Sequence, residues 1–240
     1  MISLKKMTVE QTFWDLFPDG QINVLIVKSI DNRVQEEDNE YFSGLLTQGK
    51  EAAKEFLTEE PFSQNEVIEE WREAFRKFKT KKGARSSIEA LLKRAHQDRE
   101  FSPINPLVDL YNSVSLTCAV PCGGEDIQSI QGGLRLGKAE GGETFRPLGA
   151  EEDAPALPEE ICYLDDAGSV CRCLNWREAQ RTMLTEETTD AVLVMESINK
   201  EQAKRADEAM EELKKRVDEY FHTDSQKSVL VPSAPSCALG

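Results

Sequence analysis

Residues Ile104–Asn112 read INPLVDLYN, and what lies on either side of this stretch is organised around it. Leu107, Leu110, Tyr111 and Val114 recur at steps of three and four, which predicts a helix after Pro103 with one apolar face. From Ala119 the period changes. Short segments rich in Val, Ile, Leu and Cys alternate with Gly, Pro and Asp turns, the pattern of several strands joined by loops. The clearest strands are Gly133–Lys138, Glu160–Tyr163, Val170–Leu174 and Ala191–Ser197. Asn199, with Gln202 three positions on, opens a final helix that sets Ala203, Ala206, Met210, Leu213, Val217 and Tyr220 along one stripe. That helix is expected to pack on its own core rather than on a second copy.

Upstream, QINVLIVKSI (Gln21–Ile30) follows the turn Pro18-Asp19-Gly20 and reads as a buried strand. Three helices are predicted next. One runs from Asp38 to Leu57, and a second starts near Ser63 and carries Val67, Ile68, Trp71, Phe75 and Phe78. TKKG (Thr80–Gly83) breaks it, and a third starts at Ser86 with Ile88, Leu91, Leu92 and Ala95 on its face. Ser63 with Glu66, and Ser86 with Glu89, have capping-box spacing. The segment from 223 to 240, with Pro232 and Pro235, lacks periodicity and is expected to be a flexible tail.

A chain of 240 residues with 39% hydrophobic content can bury a sizeable core. No apolar run reaches bilayer-spanning length, and MISLKKMTVEQTFWDLF lacks the apolar stretch of a signal peptide, so a cytoplasmic protein without a membrane partner is expected. The six cysteines then stay thiols, and without a CxxC pair a metal is not expected, nor, without a Gly-rich phosphate-binding signature, is another cofactor. The net charge of -15 opposes wholesale nucleic-acid binding, but its distribution is uneven. Between Arg72 and Arg99 ten Lys and Arg face three acids, a local balance of +7. Arg72, Arg76, Lys77, Lys79, Lys81, Lys82 and Arg85 are therefore candidate nucleic-acid contacts, against the ordinary alternative of a solvated helix surface.

Taken in order and spacing together, INPLVDLYN, Pro121, Asp126, Gly141-Gly142 before Glu143, Leu164–Gly168, Asn175-Trp176-Arg177, Thr188-Thr189 and Val194–Ser197 resemble one family. It is the B3/B4 module of the phenylalanyl-tRNA synthetase β subunit and its freestanding relatives, matched over about ninety residues. The freestanding relatives also resemble Trp71–Arg76 and Ser86–Arg94. The resemblance implies an α+β fold, an irregular β-sandwich-like core (103–198) flanked by helices, with residues 1–222 forming a single domain that ends in a helix at 200–221. It also implies tRNA or aminoacyl-tRNA as partner, because in the synthetase this module hydrolyses wrongly charged tRNA.

The family's loop histidine falls on Gly123 here, and the only histidines are His96 and His222, so a Ser-His or Cys-His site is not expected. Gly123 and Gly124 offer either backbone N–H donors to an anion or a tight turn with positive φ. Glu178 is the nearest match to the family glutamate that recognises a substrate hydroxyl, although its preceding glycines are missing. Arg177 could pair with a carboxylate or phosphate. Glu196 ends an apolar strand and could face the pocket or pair with Arg135 or Arg172. With Asn112 and Asp126, these residues form the expected substrate pocket. Three functions stay open: an aminoacyl-tRNA deacylase acting in trans, a non-catalytic RNA-binding module, and a protein that binds a free amino acid or related small ligand without RNA. A complete synthetase is not expected, and the sequence assigns neither catalytic residues nor an oligomeric state.

Overall fold

The computed structural model describes residues 5–240. In chain order the elements begin with strand β1 (Lys6–Val9), the short helix α1 (Gln11–Trp14) and β2 (Gln21–Val27). Helices α2 (Asn39–Ala52), α3 (Glu66–Arg76), α4 (Ser87–His96) and α5 (Pro106–Cys118) follow. The second half holds β3 (Gly123–Asp126), β4 (Leu134–Lys138), β5 (Ile161–Asp165), β6 (Gly168–Arg172), β7 (Arg177–Glu178) and β8 (Ala191–Ser197). It closes with α6 (Lys200–Phe221), β9 (Gln226–Leu230) and β10 (Ser236–Ala238).

The strands form two sheets, ordered β10-β1-β4-β5-β6-β7 and β3-β8-β2-β9. Every pair is antiparallel except β1 with β4. β2 and β8 pair along their full length, Gln21 opposite Ser197 and Val27 opposite Ala191, and both are buried on two faces. Because side chains alternate along a strand, each one serves two cores. Ile22, Val24, Val192 and Val194 join Leu136, Ile161, Tyr163 and Val170 of the larger sheet. Leu25, Val27, Leu193 and Met195 instead meet Leu107, Leu110 and Val114 of α5 and Met210 and Leu213 of α6. The result is an α+β fold in which two sheets share a core and helices cover the far face of the smaller one. Ile68, Trp71, Ile88 and Leu92 of α3 and α4 pack against the core shared by the sheets.

Helix α5 starts where Asn105 accepts a hydrogen bond from Val108 N at 3.1 Å and Pro106 takes the first turn, where its missing N–H costs nothing. Asn199 caps α6 in the same way through Gln202 N at 2.8 Å, and the Gln202 side-chain oxygen accepts from Ile198 N at 3.1 Å. The two capping boxes expected upstream do not form. Asn65, not Ser63, precedes α3, and its side chain holds the loop at Glu59 and Phe62. Ser86 does precede α4 but makes no side-chain cap, and Glu89 bonds Arg72 instead.

Strand boundaries move by one to three residues from the sequence expectation, except for Ala191–Ser197, which is exact. A larger correction concerns the C-terminal segment. β9 pairs with β2 and β10 with β1, burying Leu230 and Leu239, so 226–230 and 236–238 are sheet edges rather than a flexible tail. Their strand character comes from partners far away in sequence, not from any period of their own. Gly123–Asp126, expected as a turn or loop, is also a strand, and neither glycine has positive φ.

Candidate functional site: a carboxyl-lined cavity

Pairing between β3 and β8 sets Gly123 opposite Val194 and Glu125 opposite Val192. Directly opposed residues point to the same face, and on β8 that face continues to Glu196. One face of the smaller sheet therefore presents Gly123, Glu125, Val192, Val194 and Glu196 to the space between the sheets. The larger sheet closes that space with Leu134, Tyr163, Cys171 and Glu178, the last pair opposed across β6 and β7. Helices α4 and α5 supply the side wall, including Ser87, Leu91, Arg94, Tyr111 and Asn112. The cavity measures about 510 Å³, in the range of small-ligand sites. A side chain at Gly123 would place its Cβ 3.3 Å from Glu178 Oε1, so this glycine keeps the space beside Glu178 open. Gly124 faces the other way, where a Cβ would lie 2.5 Å from Leu193 and 2.8 Å from Leu184.

Three carboxyl groups line the cavity and none is in an ion pair among the described residues. Glu196 is 2% exposed and accepts hydrogen bonds from Tyr163 Oη at 2.7 Å and Asn175 Nδ2 at 3.0 Å. Burial pushes its pKa up to about 7, and those two bonds only partly offset the desolvation. Glu178 also rises to about 7, again by desolvation, with the Gly124 amide opposing and the Glu196 charge reinforcing the shift. Glu125 goes well above the carboxylate range for the same reason, helped by Glu178. Its Oε2 is buried without a hydrogen-bond partner, because the nearby Thr182 hydroxyl, which weakly opposes the shift, falls outside bonding geometry. Desolvation raises the thiols of Cys122 and Cys171 strongly as well, which removes their nucleophilic thiolate form at neutral pH.

The structure thus brings together Asn112, Gly123, Gly124, Arg177, Glu178 and Glu196 of the sequence candidates. Asp126 is elsewhere: its carboxylate takes Gln128 N at 2.8 Å and Thr188 Oγ1 at 2.9 Å and holds a turn. Neither arginine considered for Glu196 reaches it. Arg135 pairs with Glu10 at 3.3 Å, and Arg172 is bound within the core to Glu160, Nε to Oε2 at 2.8 Å. Arg177 lies on the exposed rim with its guanidinium 5.3 Å from the Trp176 ring centroid. The sequence reading did not single out Glu125, Tyr163 or Asn175 as pocket groups. Asn175 stands within the matched Asn-Trp-Arg stretch, whereas nothing along the chain distinguishes Glu125 from the other acids. Neither histidine lines the cavity, since His96 lies 3.4 Å from Glu60 and His222 caps α6 with φ of 52°.

The basic segment between α3 and α4 runs along the wall formed by residues 173–177. Lys81 N approaches Cys173 Sγ at 3.5 Å, and Ser87 N donates to Asn175 O at 3.1 Å. Arg76, Lys77, Lys79, Lys81, Lys82 and Arg85 are exposed. Arg72 is half-buried and pairs with Glu89 at 2.7 Å.

A family model described as the B3/4 domain matches residues 70–230, about two thirds of the chain. The chain belongs to the B3/4 domain family. The match extends beyond the 103–198 core to take in most of α3, all of α4 and α6, and β9, so the basic segment lies inside it. Among solved structures, an N-terminal fragment of the phenylalanyl-tRNA synthetase β subunit from Pyrococcus horikoshii is similar at 12% identity and a TM-score of 0.46, covering 95% of this chain and 52% of that one. This B3/4 domain chain therefore spans about half the length of that fragment. No curated protein matches it. No helix among the described residues is long and apolar enough to cross a membrane.

Proposed function

We propose that this B3/4 domain protein receives the aminoacyl end of a charged tRNA in the cavity, while exposed cations outside it contact the RNA backbone. The observation that carries the reading is the arrangement of charge: a carboxyl-lined and apolar interior beside an exposed basic segment packed along one wall. A polyanion is attracted to the rim and repelled from the interior, so only the aminoacyl group has reason to enter.

The same geometry supports hydrolysis in trans without a protein nucleophile. A carboxylate that titrates near 7 is suited to accept a proton at neutral pH, and Glu178 and Glu196 both do. Water would attack the ester carbonyl as its proton passes to a carboxylate. The bond between that carbon and the RNA oxygen then breaks, and the proton returns to the leaving terminal hydroxyl. In this reading Arg177, exposed at the rim, holds the RNA end rather than the reacting carbonyl.

The deciding experiment incubates the protein with charged and mischarged tRNAs and reads both binding and deacylation. Replacing Lys77, Lys79, Lys81 and Lys82 with Ser should weaken tRNA binding and flatten its dependence on salt. Glu178→Gln should slow deacylation far more than it weakens tRNA binding, which rests on the exposed cations outside the cavity. Binding with no deacylation reduces the reading to an RNA-binding module. The net charge of -15 favours a second reading, a binder of a free amino acid or related small ligand without RNA, and absence of tRNA binding even at low salt selects it.

A further inference from the structure

Three polar atoms of cavity-lining side chains stand without a partner: a carboxyl oxygen of Glu125, the amide oxygen of Asn175, and the hydroxyl of Ser87, which can donate or accept. Glu125, 6% exposed, leaves Oε2 unbonded. Asn175, 7% exposed, donates through Nδ2 to Glu196 and leaves Oδ1 unbonded. Buried polar atoms are nearly always paired, so such atoms beside an open space indicate the kind of group the space takes. The carboxyl and amide oxygens lack a donor. The cations at the cavity do not supply one: Arg177 lies on the rim against Trp176, and Arg94 donates to Glu100 O while lying 4.7 Å from the Phe101 ring centroid.

We infer that the cavity binds a primary ammonium group, held by Glu125, Glu178 and Glu196 with Asn175 Oδ1, its organic tail lying against the apolar wall. An ammonium offers three donors and no acceptor, which complements carboxylates and an amide oxygen. Its positive charge also supplies the counter-ion that three clustered carboxyls lack. Leu91, Leu134, Val192 and Val194 give the tail an apolar surface. The inference rests on the reading of this cavity as the aminoacyl site: there, the ammonium would be the α-ammonium of the ester, and the side chain would take the apolar wall.

The carboxyl groups couple the binding to pH. Glu178 and Glu196 are about half protonated near pH 7, and an ammonium favours their ionised form. The other titratable groups at the cavity are Glu125, which burial raises well above the carboxylate range, Tyr111 and Tyr163, Cys122 and Cys171, all raised by burial and neutral at this pH, and the permanent cations Arg94 and Arg177. Affinity for an amine that stays charged should therefore rise about tenfold between pH 6 and pH 8 for each such carboxyl that must ionise.

The test is calorimetric titration of the full chain with phenethylamine, phenethyl alcohol and 3-phenylpropionate. The amine should bind at least tenfold more tightly than the alcohol or the acid. Glu125→Gln, close to isosteric and checked for unchanged thermal unfolding, should abolish that preference. Equal binding of amine and alcohol overturns the inference, because the carboxyls would then act as neutral hydrogen-bonding groups. No amine binding at millimolar concentration, or an affinity that does not change with pH, also overturns it. These outcomes separate from the function proposed above. Binding of charged tRNA without amine discrimination defeats this inference alone, whereas amine discrimination without tRNA binding defeats the tRNA reading alone.

Discussion

Replacing Glu196 with Gln should make the protein more stable at alkaline pH. Glu196 is 2% exposed, and burial raises its pKa from 4.5 to about 7. A folded value above the unfolded one means that the stability associated with this group is fully present below pH 4.5 and is lost as pH rises through 7. A rise of about 2.5 pH units at ~1.36 kcal/mol per unit amounts to about 3 kcal/mol. Of this, about 2.5 kcal/mol is lost between pH 5 and pH 8. Gln has nearly the same shape and never ionises. Its carbonyl can accept one of the two bonds from Tyr163 and Asn175, and its amide can donate to the tyrosine oxygen, so the pH-independent loss should be about 1 kcal/mol. Urea unfolding of both proteins should show the variant slightly less stable at pH 5 and about 1–2 kcal/mol more stable at pH 8, with unchanged m-values. Glu178 shows the same direction but is half-buried, and its smaller contribution is common to both proteins to a first approximation. A stability difference that is the same at both pH values would refute the reasoning, since Glu196 would then be ionised in the folded protein at an ordinary pKa.

Gly124→Ala should destabilise the fold by about 1–3 kcal/mol in the same assay, because its Cβ would meet Leu193 and Leu184 in a filled core. Arg172→Met should cost about 3–5 kcal/mol by stranding Glu160, which is fully buried, without its partner. Ending the chain after Asp224 should cost at least ~3 kcal/mol, since Leu230 and Leu239 lose their burial at about 1.5–3 kcal/mol each and the β2 edge is uncovered. Hydrogen exchange should then show weaker protection in β2, and unchanged protection would contradict the assigned pairing.

Local pattern was enough to identify the elements whose own residues pay for their order. Ala191–Ser197 is an unbroken apolar run long enough for a central strand, and the α6 stripe with its Asn199 and Gln202 cap is a complete helix signal. The ordered spacing of INPLVDLYN, Asn175-Trp176-Arg177 and Val194–Ser197 led to the family and the α+β class. It also led to six residues that the structure gathers at one cavity. What sequence could not show was the set of elements that exist only through a partner. β3 contains two glycines and two acids and has no strand propensity of its own. It is a strand because β8 supplies the hydrogen bonds and because the packing of Leu193 and Leu184 leaves no room for a Cβ at Gly124. β9 and β10 depend in the same way on β2 and β1. Chemistry at the cavity is a tertiary property too. Read along the chain, Glu125 is one acid in a polar stretch. Its alternation partner Val192 turns it inward, and only the second sheet removes the water that would have kept its carboxyl ordinary.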